Sequence, residues 1–163
     1  MARRPRATDI FSNWHHSLEN FQASPMDFYA QVELALRKRQ IPNIEVSRVD
    51  WREGGLFSAK REYLRIRRKE YVFDIFAAPF GTGFFFSWWL GELLSFFWLL
   101  VSLIPFLGPL LLVWFRPQTY YRRDTAQMFQ DLVHGAVLEV VDGMTSAKGT
   151  RALSELERRP IPR

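Results

Sequence analysis

Cysteine is absent from this 163-residue chain, and several kinds of site are excluded with it. A chain without thiols has no disulfide scaffold, no cysteine nucleophile and no Cys-ligated zinc or iron–sulfur centre. The sequence also lacks a glycine-rich phosphate loop, a nucleophile elbow and a His-Glu metal motif. Disorder throughout the chain is excluded because 48% of the residues are hydrophobic. The length fits one domain, or one small domain with an appendage.

Charge is nearly absent from one long stretch, residues 81–115, in which Glu92 is the single charged residue. A run of 18 or more apolar residues with few charges is typical of a membrane segment. As one continuous helix, most of this stretch would measure about 48 Å, against a hydrocarbon core of about 30 Å. The sequence therefore predicts either a single kinked span or a shallow helical hairpin with its hinge at Pro105, Gly108 and Pro109.

Basic residues on both sides of the apolar stretch favour the hairpin, because positive charge marks the cytoplasmic side of a membrane. The cluster before the stretch is also a candidate contact for anionic lipid headgroups, and its members are Arg61, Arg65, Arg67, Arg68 and Lys69. We therefore expect a bacterial inner-membrane protein with both termini in the cytoplasm. The basic N-terminus has no apolar h-region behind it, so a cleavable signal peptide is not expected.

Regular secondary structure is indicated before the apolar stretch. Residues 24–40 begin with a Ser-Pro N-cap pattern and repeat apolar side chains at helical spacing, which predicts an amphipathic helix. Strand-like segments follow at 44–51, 58–67 and 71–78. Because the connections between them are short, an antiparallel meander is the simplest pairing.

The most regular pattern in the chain follows the apolar stretch, where residues 124–144 carry an i, i+3, i+4, i+7 apolar stripe. The residues that we assign to a packing interface are Phe129, Leu132, Val133, Val137 and Val140. This stripe needs a partner, which is either the meander, a second copy of the chain or another protein. Packing on the meander requires the hairpin, because a single span would leave the helix alone on the far side of the membrane.

The predicted fold class is α+β. It comprises a helix with a three-strand antiparallel meander, a membrane-embedded helical hairpin, and a C-terminal amphipathic helix that packs back on the sheet. The corresponding boundaries are an irregular basic segment at 1–23, the helix and strands at 24–80, the hairpin at 81–116, the returning helix at 117–146 and a polar tail at 147–163.

Glu92 is the most informative polar residue, because an ionisable group inside a membrane is costly and usually functional. The favoured interpretation is that Glu92 lies shallow and reaches headgroups or a nearby Ser or Trp donor. A salt bridge with an arginine of a partner helix comes next, and a buried carboxylate that carries protons, binds a cation or lines a pore is the third alternative. Ser95 is the other polar residue expected at this depth. Small residues that permit close helix packing are Ser87, Gly91 and Ser95.

Histidine occurs three times, as His15, His16 and His134, and no further ligand lies at a spacing that predicts a metal site. Asp131 precedes His134 by three residues. Such a pair can serve acid–base catalysis, but no nucleophile or orienting group has a matching spacing. The sequence therefore predicts no cofactor and no metal, and it does not favour an enzyme.

These patterns together predict a non-catalytic integral membrane protein that acts as an anchor, a scaffold or an accessory subunit of a membrane assembly. Its expected partners are a bilayer with anionic headgroups and a protein, either another copy or a different subunit. Specific nucleic-acid binding is not expected, because no recognised motif is present. Two alternatives stay open: an oligomeric pore or ion-translocating protein that uses Glu92, and a membrane enzyme acting on lipid-linked substrates.

Overall fold

The computed structural model describes residues 8–52, 60–93 and 119–162. Over these ranges the chain forms six strands and two helices. Their bounds are β1 (Thr8–Leu18), α1 (Pro25–Lys38), β2 (Glu45–Arg52), β3 (Lys60–Arg68), β4 (Tyr71–Phe80), β5 (Gly83–Leu93), α2 (Tyr120–Ala147) and β6 (Ile161–Pro162).

The strands form one antiparallel sheet in the order β2-β3-β4-β5-β1-β6. Strands β2 to β5 follow one another as neighbours, and the turn between β4 and β5 contains Gly81 at a φ of +60°, a conformation that glycine adopts without strain. Strand β1 then pairs with β5, and the register of this pair shifts between Ile10 and Ser12. The β4–β5 hairpin therefore lies in the middle of the sheet, and β1 pairs with β5 on the side away from β4.

Both helices pack on the same face of the sheet. Phe28 of α1 contacts Phe84 and Phe86, which lie two residues apart on β5. Phe129 of α2 contacts Phe73, which pairs with Leu90 further along the same face of β5. All of these side chains are almost completely buried. Each contributes about 1.5–3 kcal/mol by its burial, so this aromatic layer stabilises the packing of both helices on the sheet.

The predicted membrane-embedded helical hairpin at 81–116 is wrong. Residues 83–93, its first part, form β5 in the middle of the sheet, where they pair with β4 on one side and β1 on the other. Within the described ranges, neither helix combines the length and the apolar character needed to cross a bilayer. The segment resembles a membrane helix in sequence because a central strand that packs on both faces has little polar alternation.

The three-strand meander is a second point of difference. The predicted strands at 44–51, 58–67 and 71–78 appear as β2, β3 and β4, but they belong to the six-stranded sheet that the described residues form. Strand β1 lies in the 1–23 segment that was expected to be irregular. Its sequence mixes polar and aromatic residues, so its pairing with β5 leaves little signal in its own periodicity.

The integral membrane role depended on the hairpin and is overturned with it. The predicted inner-membrane location is therefore wrong, and so are the predicted functions of anchor, scaffold or accessory subunit of a membrane assembly. The pore that uses Glu92 and the membrane enzyme acting on lipid-linked substrates are overturned for the same reason. Glu92 lies on β5 and faces α2. The predicted packing residue and hinge fall outside the described residues, and they are Ser95, Pro105, Gly108 and Pro109.

Candidate functional site

A cavity of about 680 Å³ lies between the first half of α2 and the edge of the sheet formed by β1 and β6. Its volume falls in the range of about 300–1,000 Å³ that is usual for small-molecule sites. Its apolar lining comes from four separate parts of the chain and consists of Phe11, Leu90, Ala126, Pro160 and Pro162. The cavity therefore exists only when the sheet, α2 and the C-terminal residues are assembled.

The polar lining comes mainly from two parallel rows on α2, because residues four apart on a helix lie on one side of it. The inner row is partly or fully buried and consists of Arg122, Ala126 and Gln130. The outer row is exposed at the mouth of the cavity and consists of Arg123, Gln127 and Asp131. A ligand that enters between the rows would meet guanidinium groups at one end and a carboxylate at the other.

A buried ion pair lies beside the cavity. The Glu92 carboxylate accepts a hydrogen bond from Nη2 of Arg122, and Glu92 is only 5% exposed. Burial lowers the pKa of Arg122, but the Glu92 carboxylate and the Tyr71 hydroxyl more than offset this, so the pKa of Arg122 is raised. Arg122 is therefore fixed as a cation at the inner end of the cavity.

Tyr71 and Ser12 connect α2 to the sheet at the floor of this cavity. The Tyr71 hydroxyl donates to the Arg122 carbonyl at 2.9 Å, and burial raises the pKa of this phenol. Ser12 donates through its hydroxyl to Oε1 of Gln130. Ser12 follows the register shift in β1, and such bulges re-aim side chains at the edge of a sheet. These bonds fix the position of α2 on the sheet beside the cavity.

The cavity combines apolar walls with side chains that can bind polar groups. Among the described residues, no group of three His, Asp or Glu side chains is placed to hold a metal ion. His134, the residue considered with Asp131 for acid–base work, makes its hydrogen bonds elsewhere, to Trp88 and to the Arg158 carbonyl. The Ser12 hydroxyl is bonded to the amide oxygen of Gln130. The arrangement supports recognition of a ligand.

The predicted basic cluster is divided by the structure. Arg65 forms a bidentate pair with Asp74 at 2.7 and 2.6 Å, and both side chains are largely buried. Arg68 donates to the Pro42 carbonyl at 3.4 Å. Three members remain exposed, namely Arg61, Arg67 and Lys69. Contact between this cluster and lipid headgroups stays a prediction.

The other predicted residues fall in two groups. Ser87 and Gly91 lie on β5 and are buried in the sheet. Most of the stripe on α2 is buried within this chain, namely Phe129, Val133, Val137 and Val140, whereas Leu132 is 38% exposed. A protein partner or a second copy stays a prediction, although the buried part of the stripe is used by the chain's own sheet.

Of the polar residues that line the cavity, the sequence predicted a possible role for Asp131 alone. It missed Ser12, Tyr71, Arg122, Arg123, Gln127 and Gln130. Ser12 and Gln130 are 118 positions apart in the sequence, so no local pattern predicts their contact. The four-residue spacing on α2 is only a weak signal for a binding site, because polar residues four apart are common on any exposed helix side. This spacing occurs in the rows 122, 126, 130 and 123, 127, 131.

No protein-family model matches this chain, and neither a curated protein nor a solved structure does. The geometry of the cavity is therefore the basis for a functional assignment.

Proposed function

We propose that this protein binds a small organic acid with an apolar body in the cavity between α2 and the β1–β6 edge. The observation that carries the proposal is the placement of two adjacent arginines, Arg122 and Arg123, at one end of a cavity with apolar walls. Pockets of this kind use apolar area for affinity and a few polar groups for orientation. A carboxylate is the natural counterpart of a guanidinium group.

The charges around the cavity favour an anion at the arginine end. Glu92 balances the charge of Arg122. Arg123 is exposed, and none of the ion pairs between described residues includes it. The first turn of α2 adds the partial positive charge of a helix N-terminus. Asp131 lies eight residues further along the same row, about 12 Å away, and it would repel a carboxylate from the opposite end.

The test uses 4-phenylbutyrate as the probe and 4-phenyl-1-butanol as its uncharged counterpart. We expect the acid to shift the backbone amide NMR signals of Ser12, Gln127 and Gln130, and to bind more tightly than the alcohol. Arg123→Ala should weaken binding of the acid about fivefold, the value of an exposed ion pair near 1 kcal/mol, and leave the alcohol unchanged. Arg37→Ala is the matched control, because Arg37 is exposed on α1.

Two results would contradict this function. One is the absence of amide shifts at these three positions with millimolar acid. The other is equal affinity for the acid and the alcohol, which would remove the arginines from recognition and leave only an apolar cavity.

Binding of anionic surfaces is a second candidate, carried by the exposed basic residues of β3 and its turn. Arg61, Arg67 and Lys69 are each exposed, with Arg61 near the start of β3 and the other two at its end and in the turn that follows. Each would contribute roughly 1 kcal/mol near an anionic surface, without any inserted segment. Arg61→Ala with Arg67→Ala should reduce co-sedimentation with phosphatidylglycerol vesicles, whereas Arg37→Ala with Lys38→Ala should not. Equal loss in both double variants would show only a dependence on net charge.

A further inference from the structure

Strand β1 contains one residue more than the part of β5 with which it pairs, and this residue lies at the cavity. Ile10 pairs with Gly91, and Ser12 pairs with Leu90. These two β5 residues are adjacent, so Phe11 is an extra residue in the strand pair. Such an insertion is a β-bulge, and bulges commonly redirect side chains beside binding sites. The direction of the Phe11 side chain is therefore set by the bulge.

The bulge turns the Phe11 ring towards α2. In a regular strand, successive side chains point to opposite faces of the sheet. Ser12 points to the helix side, where its hydroxyl bonds to Gln130. The Phe11 ring lies on the same side, with its centroid 6.3 Å from that of Tyr71, whose hydroxyl bonds to the backbone of α2. Two successive residues of β1 therefore line the cavity, one with a hydroxyl and one with an aromatic ring.

Two prolines form the part of the cavity wall that lies beside this bulge. Pro162 pairs with Ser12, and both Pro160 and Pro162 line the cavity. Because proline has no backbone N–H, these two positions offer a ligand no backbone hydrogen-bond donor. The Phe11 ring is only partly buried, so part of its surface is open to the cavity. This part of the wall is therefore suited to the apolar body of a ligand.

The aromatic wall is close to the arginine end of the cavity. Tyr71 contacts the Phe11 ring on one side, and its hydroxyl donates to the Arg122 carbonyl at 2.9 Å. A ligand whose carboxylate lies at the arginines therefore needs only a short chain to bring a ring against Phe11. Since the Tyr71 hydroxyl is already bonded, the side chains of this wall meet a ligand with ring surface.

We propose that Phe11 makes the cavity selective for acids whose apolar body is an aromatic ring. This inference rests on the function proposed above, because it concerns the ligand of the same cavity. Aromatic rings attract each other edge to face or offset-stacked at centroid distances of about 4.5–7 Å, and this attraction adds to the effect of the buried area. A saturated ring of similar size buries comparable apolar surface and makes no such contact. Phe11 therefore discriminates between ligands that have the same charge and nearly the same shape.

The experiment compares 4-phenylbutyrate with 4-cyclohexylbutyrate, which has the same carboxylate and chain but a saturated ring. Burial alone favours the cyclohexyl acid, because its ring is the more apolar, so a preference for the phenyl acid isolates the aromatic contact. We expect the wild type to bind the phenyl acid about twofold to tenfold more tightly in NMR titrations, the effect of one aromatic pair. Phe11→Leu keeps an apolar side chain at the bulge and removes the ring, so this ratio should fall to one or reverse. Phe11→Tyr keeps the ring and should retain the preference.

Phe80→Leu is the matched control, because Phe80 is 82% exposed at the end of β4, and it should leave both affinities unchanged. Equal affinity of the wild type for the two acids would overturn the selectivity and leave acid binding intact. An unchanged ratio in Phe11→Leu would overturn the role of Phe11. If that variant does not fold, nuclear Overhauser effects between the phenyl protons of the ligand and the Phe11 ring test the same contact in the wild type, and their absence would overturn it. Failure of both acids to shift the amide signals named above would instead contradict the cavity function, and this inference with it.

Discussion

The structural role of Glu92 is set by its ion-pair partner, Arg122. In the sequence Glu92 is one charge among apolar residues, whereas in the structure it forms an ion pair with a residue 30 positions later. Removal of one partner of a buried pair leaves a desolvated charge, which is costlier than replacement of both. The pair therefore restricts what either position tolerates alone.

A double-mutant cycle tests this dependence. We expect Arg122→Met to lower the free energy of unfolding by about 3 kcal/mol, because Glu92 keeps its burial and loses the guanidinium. Glu92→Leu combined with Arg122→Met should lose less than the sum of the two single changes. Urea denaturation of the four proteins measures the coupling. Strict additivity would mean that the two groups do not stabilise each other.

Tyr29 gives a second prediction at the residue scale. Its hydroxyl donates to the Glu62 carbonyl at 2.9 Å and accepts from the Ala77 amide at 3.0 Å, and burial raises its pKa to about 12. Since the neutral phenol is the form that is bound, its contribution to stability is complete below pH 10 and is lost as the pH rises towards 12. We expect Tyr29→Phe to cost about 1–3 kcal/mol, because the Ala77 N–H loses its acceptor. Absorbance at 295 nm during alkaline titration should lose its latest phase in this variant.

Strand β5 is the element on which sequence reasoning failed. Periodicity located α1 and the strands β2 to β4, whose alternation or amphipathic spacing reflects one buried face. Residues 83–93 instead carry large apolar side chains on the helix side, such as Phe84 and Trp88, and also on the other side, such as Phe85 and Trp89. Hydropathy does not distinguish such a strand from a membrane helix. The cavity could not be predicted either, because it requires β1, β5, α2 and residues 151–162, here called the strap, to come together.

Gly83 provides a prediction at the scale of strand pairing. A Cβ atom at this position would lie 2.7 Å from the Leu18 carbonyl oxygen, where β1 crosses the start of β5. The contact is with backbone, so Gly83→Ala has to separate the two strands, and we expect a loss of about 1–3 kcal/mol. Gly143→Ala is the control: nothing lies within 4 Å of its Cβ on α2, and the change should stabilise by about 0.5–1 kcal/mol. Equal thermal shifts for both variants would contradict the close approach.

At the scale of the whole molecule, the strap joins elements that are distant in the sequence. It links β1 through Trp14 and α2 through His134 and Asp142. It also completes the cavity wall, so the cavity forms only when the strap is packed against β1 and α2. A ligand of the kind proposed above would therefore raise the free energy of unfolding by mass action, as for any ligand that binds only the folded state.

Substitutions at Leu153 and Leu156 test whether the packing of the strap stabilises the fold. Leu153 is 6% exposed and belongs to the core, whereas Leu156 is 78% exposed only three residues later. We expect Leu153→Ala to lower the free energy of unfolding by about 2–4 kcal/mol, since it leaves a cavity under the strap, and Leu156→Ala to stay within about 0.5 kcal/mol of the wild type. Urea denaturation followed by tryptophan fluorescence measures both. If Leu153→Ala left stability unchanged, the strap would be an appendage on a fold that is complete without it, and the cavity would have no fixed wall on that side.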